Sequence, residues 1–415
     1  MPRRQPILKH AAFLMAAIAL ASASVWAPGT AAAQPAYATV TGLMLPGGMN
    51  STANAVNRQG DVTGQSDWLN PKTKVIQTDA FIYYSPTSTV APGRLLRIGP
   101  GPNAEDANGQ SINNGNHIAL SGTMSGGGYQ VPFESRVLHG KGSSTSLLIP
   151  DQNSTNTYNG GTATGINSHD AVSLTMVYFG EIDAAEVALH GPNQPYRKYL
   201  EQASPVPSGG FEIGSEGNAI DEDGRVGGLQ DVYENGSGFS IATVWYTNLK
   251  PHELAPLATE RTASVTALAE GSRPLTPEPG APKGGHNHVE WLKPVGYATD
   301  STGHDHAVYW YGQGVNNPPT PAGPIDLGTP AGFTDARANA ISTRGHLIAG
   351  FASNASSTDA TVWKNGHPID LNTLLAPGSG WQLSSASGVN DRGVVVGEGI
   401  YNSNQEAFVL QLPNP

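Results

Sequence analysis

The chain has 415 residues, among them 51 Gly, 32 Pro and no Cys, with 38% hydrophobic and 13% charged residues and a formal net charge of −11. Gly and Pro cost about 1 and 3 kcal/mol in a helix interior, which argues against a helical bundle and for an all-β fold, while the hydrophobic content argues against a disordered chain. The acidic balance, with no basic stripe, argues against nucleic-acid binding, and the lack of Cys removes disulfides, thiolate nucleophiles and cysteine metal sites.

The elements begin with an export signal. Arg3, Arg4 and Lys9 precede an apolar run from Ala11 to about Val25, and Ala31-Ala32-Ala33 offers a small-residue cleavage site before Gln34. The run is short for a membrane span. Residues 1–33 are therefore expected to be a signal peptide, and residues 34–415 a single domain, secreted or periplasmic, without a membrane span. Processing would remove three positive charges and no negative ones.

A repeated hairpin follows. Residues 53–64 read ANAVNRQGDVTG, 338–350 read ANAISTRGHLIAG and 386–397 read ASGVNDRGVVVG, with weaker copies at 111–122, 165–174 and 218–228 and a degraded one ending at Lys293-Pro294-Val295-Gly296. In each, apolar residues alternate, Asn, Asp or Ser opens a turn, and a Val/Ile-rich run resumes, the signature of strand, tight turn and strand. A third, aromatic strand recurs as DAFIYY at 79–84, ATVWY at 242–246, HAVYWY at 306–311, DATVWK at 359–364 and EAFVLQ at 406–411. Three residues after its Ala stand Tyr83, Trp245, Trp310, Trp363 and Leu410, expected to be core positions. PIDLGT at 324–329 and PIDLNT at 368–373 supply a fourth strand.

Four strands in roughly 50 residues, seven times over, predict a seven-bladed β-propeller of four-stranded blades. The last unit lacks a fourth strand, and the orphan segment ATVTGLML at 38–45 is expected to supply it and close the ring. An open solenoid is the alternative. Residues 250–288, including PLTPEPGAPKGGHNH, are expected to be an inter-blade insertion that forms a lid, with a short helix over Leu254–Leu268.

The pattern of an Ala-rich turn hairpin, then DAF at 79–81 or HAV at 306–308, then DLGT, with GLMLPGG at 42–48 before the first hairpin, resembles the HAF-repeat extracellular proteins of bacteria. The likeness covers most of residues 38–415 and is weak between about 140 and 290. It implies an exported, propeller-like repeat protein and carries little assigned chemistry.

Chemistry is sparse in the motifs. HExxH, G-x-S-x-G, P-loop and haem-attachment patterns are absent, and no cofactor is required. A divalent metal held by His and carboxylates is the one cofactor left open. GHNH at 285–288 and GHDH at 303–306 place pairs of His two residues apart, on one face of an extended strand, and His286, His288 and His304 form a candidate metal set. His306 occupies the repeat position of Asp79, Asp359 and Glu406 and is expected to serve the blade. The acidic turn Asp221-Glu222-Asp223 lacks calcium-loop spacing.

With the first hairpin strand innermost, one face of the ring collects the turns between second and third strands and the connections between blades. That face would hold Trp68, Tyr129, Tyr158, Tyr233 and Arg337 as candidate binding residues, aromatic rings suiting sugar CH faces and the guanidinium suiting hydroxyls or uronates. Glu234, Asp305 and His304 are the catalytic candidates, with Glu212 beside them. Two functions from different classes follow: a binding or structural module for a carbohydrate, a cell-envelope component or a protein, and an extracellular carbohydrate-active enzyme. A hydrolase needs two carboxyls about 5 to 10 Å apart; a lyase needs a His or Tyr base beside an Arg.

Overall fold

The computed structural model describes residues 37–413 apart from 101–102, 126–129, 139–141, 148–157, 179–181, 192–193, 201–210, 235, 260, 275–287, 311 and 314–322. The first strand, β1 (Thr39–Leu43), belongs to the last sheet. Blade one is β2 (Ser51–Val56), β3 (Val62–Leu69), β4 (Ile76–Tyr83) and β5 (Leu95–Ile98). Blade two is β6 (Asn108–Ile112), β7 (His117–Thr123), β8 (Gln130–Leu138) and β9 (Gly142–Leu147), and blade three is β10 (Tyr158–Ile166), β11 (Val172–Tyr178), β12 (Ile182–Gly191) and β13 (Gln194–Tyr199). Blade four is β14 (Phe211–Ile220), β15 (Val226–Glu234), β16 (Ser237–Trp245) and β17 (Pro251–Glu253). Blade five is β18 (Ala263–Pro274), β19 (His288–Thr299), β20 (Asp305–Tyr309), the short β21 (Gly312–Gln313) and β22 (Ile325–Asp326). Blade six is β23 (Asp335–Ile341), β24 (Leu347–Ser353), β25 (Thr358–Lys364) and β26 (His367–Asp370). Blade seven is β27 (Trp381–Val389), β28 (Val394–Tyr401) and β29 (Asn404–Gln411), completed by β1.

All strand pairs are antiparallel, and the first strand of each blade packs on its counterparts on both sides, β27 against β2 included. The molecule is a closed seven-bladed β-propeller. Closure is by the strand expected: Thr39 pairs with Gln411 and Leu43 with Ala407. Among the described residues the one helical element is a 3-10 turn (Leu371–Leu374), and no helix is long and apolar enough to cross a membrane.

One irregularity repeats in every blade. The innermost strand slips by one residue against its neighbour, bulging Asn54, Gln110, Thr164, Asn218, Thr266, Asn339 and Ser387. A bulge leaves a polar residue outside the ladder and a carbonyl free to accept. Neighbouring blades use both: Asn54 donates to the Gly109 carbonyl (2.9 Å), Asn218 to Val265 (3.2 Å), Thr266 to Ala338 (2.6 Å), Asn339 to Ala386 (3.0 Å) and Thr164 to Gly217. Opposite the bulge, the second strand carries Gly64, Gly228, Gly296, Gly350 or Gly397, where a Cβ would lie 1.8–2.0 Å from a carbonyl oxygen of the inner strand. No other residue fits that approach.

The hairpin Asn forms a second blade-to-blade belt. Asn57 Oδ1 accepts from the N–H groups of Gln59 and Asp61 and so shapes its own turn, while its Nδ2 donates to the Asn113 carbonyl (3.2 Å) and to Asn116 Oδ1 (2.8 Å) in the next blade. Asn113 repeats this toward Asn167, Asn167 toward Asp221, and Asn390 toward Asn57 across the closure. In blade four Asp221 cannot donate, and it instead holds the buried Arg225 through Nε at 2.5 Å. The acidic turn is thereby filled by its own cation.

The core lies between blades. Tyr83, Trp245, Trp310, Trp363 and Leu410 are all buried, as expected. The indole N–H of Trp310 donates to Ala255 O (2.8 Å) and that of Trp363 to Gly328 O (2.8 Å), each fixing the connection that arrives from the preceding blade.

Segment 250–288 departs from expectation. Residues 251–253 are the outer strand of blade four and 263–274 the innermost strand of blade five, so the stretch Leu254–Leu268 is loop followed by strand, with no helix. Ala263 and Val265 are buried against β19, and pairing with that strand outweighs the helix-forming Ala, Leu and Glu content. The extra length falls between β18 and β19 of blade five, where residues 275–287 are outside the described residues, and not in an inter-blade connection.

Candidate functional site

The ring has a hairpin face, with the Asn turns, and a loop face, with the turns between second and third strands and the blade connections. On the loop face of blades five and six, the sequence candidates Asp305 and Arg337 meet. Asp305 opens β20 and Arg337 is the third residue of β23; Arg337 Nε donates to Asp305 Oδ2 at 2.7 Å and Nη2 reaches the same oxygen. The guanidinium also lies over the ring of Tyr297, 4.0 Å from its centroid. His304 Nδ1 is 3.1 Å from Asp335 Oδ2, and the Asp335 carboxylate accepts the Asp305 N–H (3.1 Å) and the Thr334 hydroxyl (2.7 Å). The result is a linked series of acid, base and aromatic groups.

Two carboxylates, a guanidinium and an imidazole set its electrostatics. Burial works to raise the Asp335 carboxyl, but hydrogen bonds from Thr334, the Asp305 N–H and His304 outweigh it and hold the group below 3.8. Burial pushes the Tyr297 phenol above 10.0, opposed by Arg337 and reinforced by Asp305, Glu216 and Asp231. Tyr297 is thus held as a neutral hydroxyl, the wrong direction for a lyase base. Asp305 Oδ2 is engaged by the Arg337 guanidinium through both Nε and Nη2. His306 lies between carboxylates, Nδ1 2.8 Å from Asp326 and Nε2 3.4 Å from Asp300, and pins the outer strands of its blade.

The other candidates are dispersed over the same face. Tyr233 and Glu234 end β15, Tyr233 40% exposed. Next to them Asp231 accepts the Ser240 hydroxyl at 2.6 Å. Trp68 is on the far side of the ring in blade one, with Arg97 over its ring at 3.9 Å, and Arg97 Nε is 2.5 Å from the buried Asp79. Burial raises the Asp79 carboxyl against the pull of Arg97. Tyr158 opens β10 and Glu212 is the second residue of β14, both placed by strand position alone. Tyr129 and His286 lie outside the described residues.

Of the metal set His286, His288 and His304, the last two are not brought together, and His286 lies outside the described residues. His288 opens the twelve-residue β19 and His304 lies beyond its other end; at about 3.3 Å per residue the strand separates them by about 36 Å. Among the described residues no group of three His, Asp or Glu side chains is arranged to hold a metal ion.

Sequence reasoning overlooked Tyr297 and Asp335. Tyr297 sits in the degraded copy, where the alternation Val295, Tyr297, Thr299 was its one signal; Asp335 precedes the well-formed hairpin at 338–350 and looks like ordinary turn chemistry.

No protein-family model matches the chain, and no curated protein is found to be similar. Solved structures show likeness at low identity. YCF48 from Cyanidioschyzon merolae matches with a TM-score of 0.44 and 11% identity over 91% of this chain and 99% of that one. The BP39L lectin from Burkholderia pseudomallei matches with a TM-score of 0.41 and 10% identity over 88% and 98%. Trypanosoma rangeli sialidase matches with a TM-score of 0.40 and 9% identity over 89% of this chain, which spans 55% of the sialidase.

Proposed function

We propose that the chain is an exported propeller of binding type, which presents its loop face to a carbohydrate of the cell envelope or its surroundings. The observation that carries this reading is the Tyr297–Arg337–Asp305 group: the candidate acid, cation and aromatic ring come together, but as a closed ion pair on a neutral phenol. Such a group is rigid and offers hydrogen-bonding edges without a free acid or base. The exposed Tyr233 and the Trp68–Arg97 pair extend the same chemistry around the face. The likeness to HAF-repeat extracellular proteins and the apolar run at 11–25 favour export, with processing before Gln34.

The test incubates the purified protein with neutral and uronate-containing polysaccharides, with and without divalent metal, following reducing ends, unsaturated products and retention. Saturable retention without products is expected. New reducing ends or unsaturation would replace this reading with the enzyme, and silence in both assays would direct the search to a protein partner.

A further inference from the structure

Between the outer strands of blade four and the start of blade five lies a pocket of about 240 Å³. Phe239 and Ile241 of β16 form one wall, and Leu254 and Pro256 of the following loop form the other. Three polar side chains join them, Glu253, Arg261 and Ser240, whose hydroxyl is spent on Asp231. Glu253 lies at the exposed mouth of the pocket and makes no side-chain hydrogen bond or ion pair with any described residue. Arg261 spends one N–H on the Ser301 carbonyl, at 3.2 Å, and keeps the rest of its fork. The loop wall is fixed from behind by the Trp310 indole on Ala255 O and the Leu254 N–H on Ala242 O, both 2.8 Å, so the pocket is formed before any ligand arrives. Preformed apolar concavities with few polar groups are how small ligands are held.

We infer that this pocket takes an N-acetylated hexosamine, with its acetamido group inward. The inference rests on the carbohydrate reading above and narrows it. An acetamido group carries one N–H, which Glu253 accepts, one carbonyl, to which Arg261 donates, and one methyl, which the walls of Ile241, Leu254 and Pro256 cover. A plain hexose puts a hydroxyl against those apolar walls, where an unmet polar group is costly. A free amino sugar pairs with Glu253 but brings its cation toward Arg261.

The experiment titrates the purified protein with N-acetylglucosamine, glucose and glucosamine by calorimetry, then repeats it with Glu253→Ala and Arg261→Ala, both at exposed side chains, checking that each variant melts as the parent does. N-acetylglucosamine is expected to bind about tenfold more tightly than glucose, and each variant to lose about tenfold. Equal affinity for the sugars, or binding untouched by both variants, overturns the assignment. Retention on a polysaccharide free of N-acetyl groups, with no response to N-acetylglucosamine, overturns the pocket while sparing the proposed function; no binding in either assay overturns both. A chitin oligomer that binds more tightly than the monosaccharide identifies a chain, and equal affinity a free sugar, as the source of the bound unit.

Discussion

Asp335 illustrates how much one carboxylate does on the loop face. It binds the His304 ring, a hydroxyl and a backbone N–H, and these hold its folded pKa below the ordinary value. A depressed carboxyl contributes stability that is present above its unfolded value and lost as pH falls through the folded one. The melting temperature of Asp335→Asn should therefore lie below that of the parent near pH 6, and the gap should close as pH falls well below 3.8; a gap independent of pH would exclude this role. Arg337→Ala should abolish polysaccharide retention while changing the melting temperature little, because the half-exposed guanidinium serves the surface more than the core. Asp305, His304 and Arg337 were legible in the sequence as loop-face residues through their place in the repeat. Their pairing was not, because Arg337 reaches back 32 residues across a blade boundary that no local pattern encodes.

At the level of strands and turns, the repeat encodes contacts between blades as strongly as it encodes blades. The hairpin Asn reads as turn chemistry, and the structure adds a second duty, since Asn113 Nδ2 donates to Asn167 O and to Asp170 Oδ1. Asn113→Ala should cost about 1–3 kcal/mol, from buried groups left without partners, whereas Asn113→Asp should keep the turn and lose the link to blade three; denaturant melts of the two variants separate these effects. Gly350→Ala should fail to reach the native state, because its Cβ would stand 2.0 Å from the Arg337 carbonyl. Where Leu120 and Leu174 replace that Gly, in blades two and three, the repeat is hardest to recognise. The aromatic position was plain from its recurrence, and Trp363→Ala should cost about 3–5 kcal/mol in a thermal or denaturant melt. The misread helix at 254–268 has the opposite cause: local composition favours a helix, and the unpaired edge of β19 decides otherwise.

Ring closure is the property of the whole molecule that the sequence announced most clearly, by a last unit one strand short and a first strand without a unit. Removing residues 34–45 would strip β1 from β29 and leave blade seven with an open edge, which invites pairing between molecules. The truncated protein should melt well below the parent and aggregate on heating; an unchanged melting temperature would show that β1 contributes nothing to closure. The same pairing has a mechanical consequence. Thr39, where the chain joins the ring, lies opposite Gln411, where it leaves. A tension that draws these two points away from each other loads the β1–β29 ladder at one end, so its hydrogen bonds break in succession like the teeth of a zipper instead of sharing the load in shear. Stretched between anchors at its two ends, the propeller should give way first at blade seven and at low force, releasing β1 while the other six blades keep their sheets.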